Sequence, residues 1–135
     1  MSKPIDTACI IDDDETYVFI TKRMILAKKL CDQVVIYSNG KVAIDGFRKL
    51  LSENGDLPEV ILLDINMPVM DGWSFLEKFR ELDIPRKITI YMVSSSVDEA
   101  DMKRAKEYSE VTNYVVKPVK TEDLVKIFKL EYQEA

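Results

Sequence analysis

Val60-Ile61-Leu62-Leu63-Asp64-Ile65-Asn66-Met67-Pro68, followed by Met70-Asp71-Gly72, is the stretch that decides how this chain is read. Four consecutive aliphatic residues between Pro58 and Pro68 are too few for a buried helix. They match a strand buried on both faces, as in parallel sheets covered by helices. The run stops at Asp64. That puts a carboxylate at the carboxyl end of a buried strand, the edge where open α/β sheets bind their ligands.

Working outward, five apolar runs are expected as strands, at 7–11, 33–37, 59–63, 88–93 and 113–116. Helical patterns alternate with them. Tyr17, Ile20, Met24 and Ala27 share one face of the first, Val42, Ala43, Phe47 and Leu50 one face of the second, and Phe75, Leu76 and Phe79 one face of the third. Ser96-Val97-Asp98-Glu99 reads as a capping box opening the fourth helix, and Thr121 as the cap of the fifth, which runs through Leu124, Ile127 and Phe128. No internal linker or low-complexity segment interrupts the series. Residues 1–135 are therefore expected to form a single (βα)5 domain with its core at about 5–132. The expected class is α/β, a flavodoxin-like doubly wound parallel sheet of five strands in the order 2-1-3-4-5 with right-handed crossovers. In that order strands one and three are neighbours, so Asp12-Asp13-Asp14 and Asp64 meet in one crevice.

Composition narrows the chemistry. The 135 residues are 47% hydrophobic and 32% charged, ordinary for a soluble globular domain. A net charge of -5 and a pI near 4.8 argue against nucleic-acid or anionic-membrane binding, which need basic patches. No apolar stretch approaches the roughly 20 residues of a membrane span. Met1-Ser2-Lys3-Pro4-Ile5-Asp6 has no signal-peptide pattern, so a cytoplasmic location is expected. Two cysteines, Cys9 and Cys31, make no disulfide framework, and Cys9 sits in an apolar run as a small hydrophobe. The absence of histidine rules out His-dependent triads and His-ligated zinc. Carboxylates, hydroxyls, lysine and a hard metal are left.

Converging carboxylates repel unless a cation neutralises them, and an all-oxygen set of a few carboxylates and a carbonyl suits Mg²⁺. Asp14 and Glu15 read as helix N-terminal acids, and Asp12 and Asp13 as metal ligands with Asp64. The fourth run ends in Ser94-Ser95-Ser96, and Ser94, directly at the strand end, can donate its hydroxyl to a phosphate oxygen. The fifth run ends in Lys117-Pro118. A lysine at a buried strand end calls for an anionic partner such as a phosphoryl group or a carboxylate. A nucleophilic carboxylate, further carboxylates, a hydroxyl and an ammonium together make a phosphoryl-transfer site, in which an aspartate accepts the group as an acyl phosphate.

Ile11-Asp12-Asp13-Asp14, Leu63-Asp64-Ile65-Asn66-Met67-Pro68 with Met70-Asp71-Gly72, Val93-Ser94-Ser95 and Tyr114-Val115-Val116-Lys117-Pro118 resemble the motifs of the receiver domains of two-component response regulators. The resemblance covers nearly the whole chain, in order and spacing. It implies that Asp64 is the phosphoacceptor, taking phosphate from a sensor histidine kinase or a His-containing phosphotransfer protein. It implies Mg²⁺ held by Asp13, Asp64 and the Asn66 carbonyl, with Asp12 acting through water. Ser94 would bond the phosphoryl group, Lys117 would pair with it, Tyr114 would change rotamer, and the Lys117-Pro118 bond would be cis. Ser94 stands where threonine is more usual, and Asn113 where glycine or alanine is common.

The chain resembles a stand-alone, chemotaxis-regulator-like receiver with no output domain. Its output would be a surface, the face of the fourth helix, fifth strand and fifth helix around Tyr114, read by a downstream protein. A monomer or a phosphorylation-linked dimer is expected.

Two rivals are weaker. Asp12-Asp13-Asp14-Glu15-Thr16 also fits Asp-x-Asp-x-Thr and so resembles the nucleophile motif of haloacid-dehalogenase-type phosphatases. That family needs a later acidic metal motif, and only Glu122 and Asp123, inside the last helical pattern, follow Lys117. A flavin carrier would want a glycine- or hydroxyl-rich loop after strand one, where this chain has a row of aspartates.

Overall fold

The computed structural model describes the backbone of residues 5–134 and the side chains of residues 5–129. Residues 1–4 and 135, which the expected domain includes, lie outside the described residues. The elements are β1 (Ile5–Ile11), α1 (Glu15–Ala27), β2 (Cys31–Tyr37), α2 (Gly40–Ser52), β3 (Val60–Leu63), α3 (Gly72–Arg80), β4 (Thr89–Ser94), α4 (Glu99–Lys106), β5 (Val111–Val116) and α5 (Thr121–Glu134). They form one parallel sheet in the order β2-β1-β3-β4-β5, the expected topology.

The apolar runs divide residue by residue between two cores, as the period of a strand demands. Cys9, Ile11, Ile61, Leu63, Ile90 and Met92 point to one side, where α2 and α3 supply Phe47, Phe75, Leu76 and Phe79. Ala8, Ile10, Val60, Leu62, Tyr91 and Val93 point to the other, where α1 and α5 supply Val18, Ile25, Leu124, Ile127 and Phe128. Burial on both faces is why these strands read as continuous apolar runs. Cys9 and Cys31 are both buried free thiols.

Several expected details are corrected. β1 and β2 begin two residues earlier than periodicity suggests, because Ile5 pairs with Cys31 and both are buried. β5 begins at Val111, and β4 runs through Ser94, which pairs with Val116. The buried stripe of α1 is Val18, Thr21 and Ile25, with Tyr17 and Met24 at its margin; Ile20 and Ala27 are exposed. A threonine in the stripe hid the true face from a hydrophobicity pattern. In α2, Val42 is exposed and Ile44 is buried in its place. The fourth helix is capped by Asp98, whose Oδ1 accepts from Ala100 N at 2.9 Å. Ser96 instead accepts from Asp98 N and donates to Asp101 Oδ2 at 2.7 Å. Thr121 is the first residue of α5 rather than its cap; its hydroxyl donates to Met24 Sδ, and Asp123 accepts from Lys120 N.

Candidate functional site

The ladder between β1 and β3 pairs Ile11 with Leu63 and places the next residue of each strand at the same edge. Asp64 N donates to Ile11 O at 3.0 Å, and Asp12 N to Tyr37 O at 3.1 Å, so both backbones stay in sheet register. One carboxylate oxygen each from Asp12, Asp13 and Asp64 lie within 4.8 Å of one another. Asp12 and Asp64 are buried and Asp13 is exposed. Asp14 turns away to cap α1, accepting from Tyr17 N at 3.1 Å, as its position predicts.

Charge in this crevice is only partly balanced. Lys117 Nζ lies 2.9 Å from Asp12 Oδ2, an ion pair in which both side chains are largely buried. Asp12 Oδ1 accepts from Asp14 N at 2.9 Å, while Oδ2 is ion-paired with Lys117 without a well-aligned hydrogen bond. Asp64 Oδ1 accepts from Ile65 N at 2.8 Å; among the described residues no group donates to Asp64 Oδ2. Burial, reinforced by the neighbouring Asp12 charge, pushes the Asp64 carboxyl up to about 6, against the opposing pull of Lys117. Burial also raises Asp12, with Lys117 working in the opposite direction. Three oxygen donors, two of them held above their ordinary range by desolvation, fit a hard divalent cation that would restore their ionised state.

The segment after Asp64 is held close to β3. Gly72 N donates to Ile65 O at 2.7 Å, and a Cβ on Gly72 would run into the Asp64 carbonyl oxygen, well inside van der Waals contact. Gly40, opening α2, donates to Met70 O at 3.1 Å. Met67 is buried and Met70 packs on the same core, in keeping with loop-shaping roles. Asp71 caps α3, accepting from Ser74 N at 2.8 Å. Asn66 is exposed two residues beyond Asp64. Val69 is exposed too and adopts φ 68°, a left-handed conformation that β-branched residues rarely take.

Ser94 is fully buried at the end of β4, and its Oγ accepts from Ser96 N at 3.2 Å. Its carbonyl accepts from Lys117 N at 2.9 Å, which joins the β4 and β5 ends. The Lys117-Pro118 peptide is cis, as the resemblance implies. Tyr114 is half-buried, and its hydroxyl donates to Ser96 O at 2.9 Å, which ties β5 to the loop before α4. Trp73, Phe75 and Phe79 are core packing.

Sequence reasoning missed Tyr17, read only as part of a helix face. Its ring lies under Lys117, with Nζ 4.2 Å from the ring centroid. The available signal was its place on the first turn after the Asp14 cap, which faces back toward the strand ends. The backbone approach of Gly72 was also missed, since Asp71-Gly72 entered only as part of a motif.

The protein-family model described as "Response regulator receiver domain" matches residues 8–129. Over 118 residues the chain is 29% identical to the "Probable methanogenesis regulatory protein FilR2" of Methanothrix harundinacea, covering 85% of this chain and 74% of that protein. Over 129 residues it is 31% identical to the "Sensor histidine kinase CheAY" of Helicobacter pylori, covering 95% of this chain but 15% of that one. It likewise spans only 20% of the two-component response regulator ORR26 of Oryza sativa. Among solved structures, a two-component response regulator from Cytophaga hutchinsonii superposes with a TM-score of 0.87 at 27% identity, over 97% of this chain and 99% of that one.

Proposed function

Because this chain belongs to the receiver domains of response regulators, we propose that it is a phosphoacceptor switch in two-component signalling, with Asp64 as the acceptor. The observation that carries this reading is the contrast between the two buried carboxylates. Asp12 has one oxygen on Asp14 N and the other ion-paired with Lys117, while Asp64 Oδ2 has neither an ion pair nor a hydrogen bond among the described residues.

That oxygen attacks the phosphorus of a phosphohistidine on a sensor histidine kinase or a His-containing phosphotransfer protein. A P–O bond forms as the P–N bond breaks; the imidazole nitrogen keeps the bonding pair and takes up a proton. The product is an acyl phosphate on Asp64. Mg²⁺ held by Asp13, Asp64 and the Asn66 carbonyl, with Asp12 acting through water, would offset the charge of the transferring group. Lys117 leaves Asp12 to pair with the phosphoryl oxygens, and the Ser94 hydroxyl donates to them. Tyr114 reports the change through its bond to Ser96 O, which links the crevice to the face of α4, β5 and α5. A downstream protein reads that face, and phosphorylation shifts the population of a state already accessible to the free chain.

Incubation with acetyl phosphate and Mg²⁺ adds one phosphate to the intact protein by mass spectrometry, and none to Asp64→Asn or without metal. Phosphate that survived in Asp64→Asn and vanished in Asp12→Asn would transfer the chemistry to Asp12, as in the phosphatase reading.

A further inference from the structure

Lys117 has to do two things in the proposed reaction: hold Asp12 before phosphate arrives and meet the phosphoryl group afterwards. Its backbone is anchored, since its N–H donates to Ser94 O at 2.9 Å. Its four-carbon stem is not anchored by that bond, and a flexible ammonium holds its position only through what surrounds it. Asp12 Oδ2 stands 2.9 Å from the ammonium. The second contact is the face of the Tyr17 ring, with Nζ 4.2 Å from the centroid, inside the range of a cation–π contact. Tyr17 and Lys117 also line a groove of about 370 Å³, together with Asp14, Thr21, Met24 and Val119 among others. That groove has room for an ammonium that turned away from the crevice. The buried Tyr17 hydroxyl meets no well-aligned hydrogen-bond partner among the described residues, with the Thr21 side chain its nearby polar neighbour. The contact that bears on Lys117 is the ring face.

We infer that Tyr17 is a positioning residue for the phosphoryl-transfer reaction, its ring walling the Lys117 ammonium into the crevice and out of the adjoining groove. The inference rests on Asp64 as acceptor and Lys117 as its phosphoryl partner. Asp12 and the ring both contact the ammonium, so when Lys117 exchanges Asp12 for a phosphoryl oxygen the ring contact remains.

The test is a double-mutant cycle on the full chain, reading the initial rate of Asp64 phosphorylation by acetyl phosphate and Mg²⁺. Tyr17→Leu should slow the reaction roughly threefold to thirtyfold, the span of a lost cation–π contact between exposed and desolvated sites. Tyr17→Phe, which keeps a ring face, should stay within about twofold of the parent. In a Lys117→Met background Tyr17→Leu should change nothing further. An equal loss in both backgrounds, or a loss in Tyr17→Phe as large as in Tyr17→Leu, overturns the inference, because ordinary packing would act without Lys117. Mg²⁺-dependent binding of beryllofluoride, measured by calorimetry across the same five proteins, repeats the test where turnover is too slow to follow. The same pattern is expected there, with the same overturning results. Failure of the underlying reading looks different: the parent takes no phosphate, or takes it in Asp64→Asn. A Lys117→Met rate equal to the parent's sinks both the Lys117 role and that of Tyr17.

Discussion

Asp64 is held at the end of β3 in a way that favours its neutral form. Its carboxyl titrates at about 6 in the folded chain against an ordinary 3.8, raised by burial and then by Asp12. In the unfolded chain it loses its proton near 3.8, while the folded chain keeps it until about pH 6. Between those values the native state binds more protons, so stability falls as pH rises through the window. The displacement corresponds to about 3 kcal/mol when both states are ionised. Asp64→Asn, which retains an acceptor for Ile65 N, should therefore be more stable than the parent by about 1–3 kcal/mol at pH 7 in urea titrations without metal. The difference should vanish below pH 4. Mg²⁺ should narrow it by stabilising the parent alone. Equal stabilities at pH 7 would mean that Asp64 carries no strain of charge. These residues were legible in the sequence because an acid at the end of an apolar strand has few other reasons to be there. The unequal engagement of Asp12 and Asp64 was not legible, since it depends on where the Lys117 side chain lies.

At the scale of elements, the turn from β3 into α3 positions Asp64. The N-terminus of α3 comes so close to β3 that only glycine fits at position 72, against the Asp64 carbonyl oxygen. Gly72→Ala should cost about 1–3 kcal/mol, the usual penalty of overpacking, because a backbone oxygen cannot turn aside as a side chain can. On the proposed function it should also slow Asp64 phosphorylation by acetyl phosphate, because relief of the clash moves the Asp64 backbone. Unchanged urea midpoint and rate would show that the turn yields freely. The element pattern was legible from periodicity, but its phase and ends were less so. Thr21 disguised the buried stripe of α1, and the choice between Ser96 and Asp98 as cap of α4 was decided by the path of the loop.

At the scale of the whole molecule, two apolar layers cover the two faces of the sheet. Phe47 is fully buried in one of them, with the rings of Tyr37, Phe75 and Phe79 at centroid distances of 5.7, 6.1 and 6.2 Å. Phe47→Ala should lower stability by about 3–5 kcal/mol through lost burial and the cavity left behind. The urea m-value should be unchanged, since the surface exposed on unfolding is nearly the same. A loss below about 1 kcal/mol would mean that the layer collapses to fill the space.

The sequence by itself determined the five βα units, because strands buried on both faces read as continuous apolar runs between helical patterns. The strand order, and with it the meeting of Asp12, Asp13 and Asp64 at one edge, came in part from the resemblance to receiver domains. Only the tertiary structure decided that Lys117 pairs with Asp12 while Asp64 Oδ2 has no hydrogen bond among the described residues, that the Tyr17 ring contacts the ammonium, and that Gly72 lies against the Asp64 carbonyl. Each of these is a contact between residues distant in sequence or across a turn. Their distances are set by how helices settle on the sheet, which no local pattern of residues encodes.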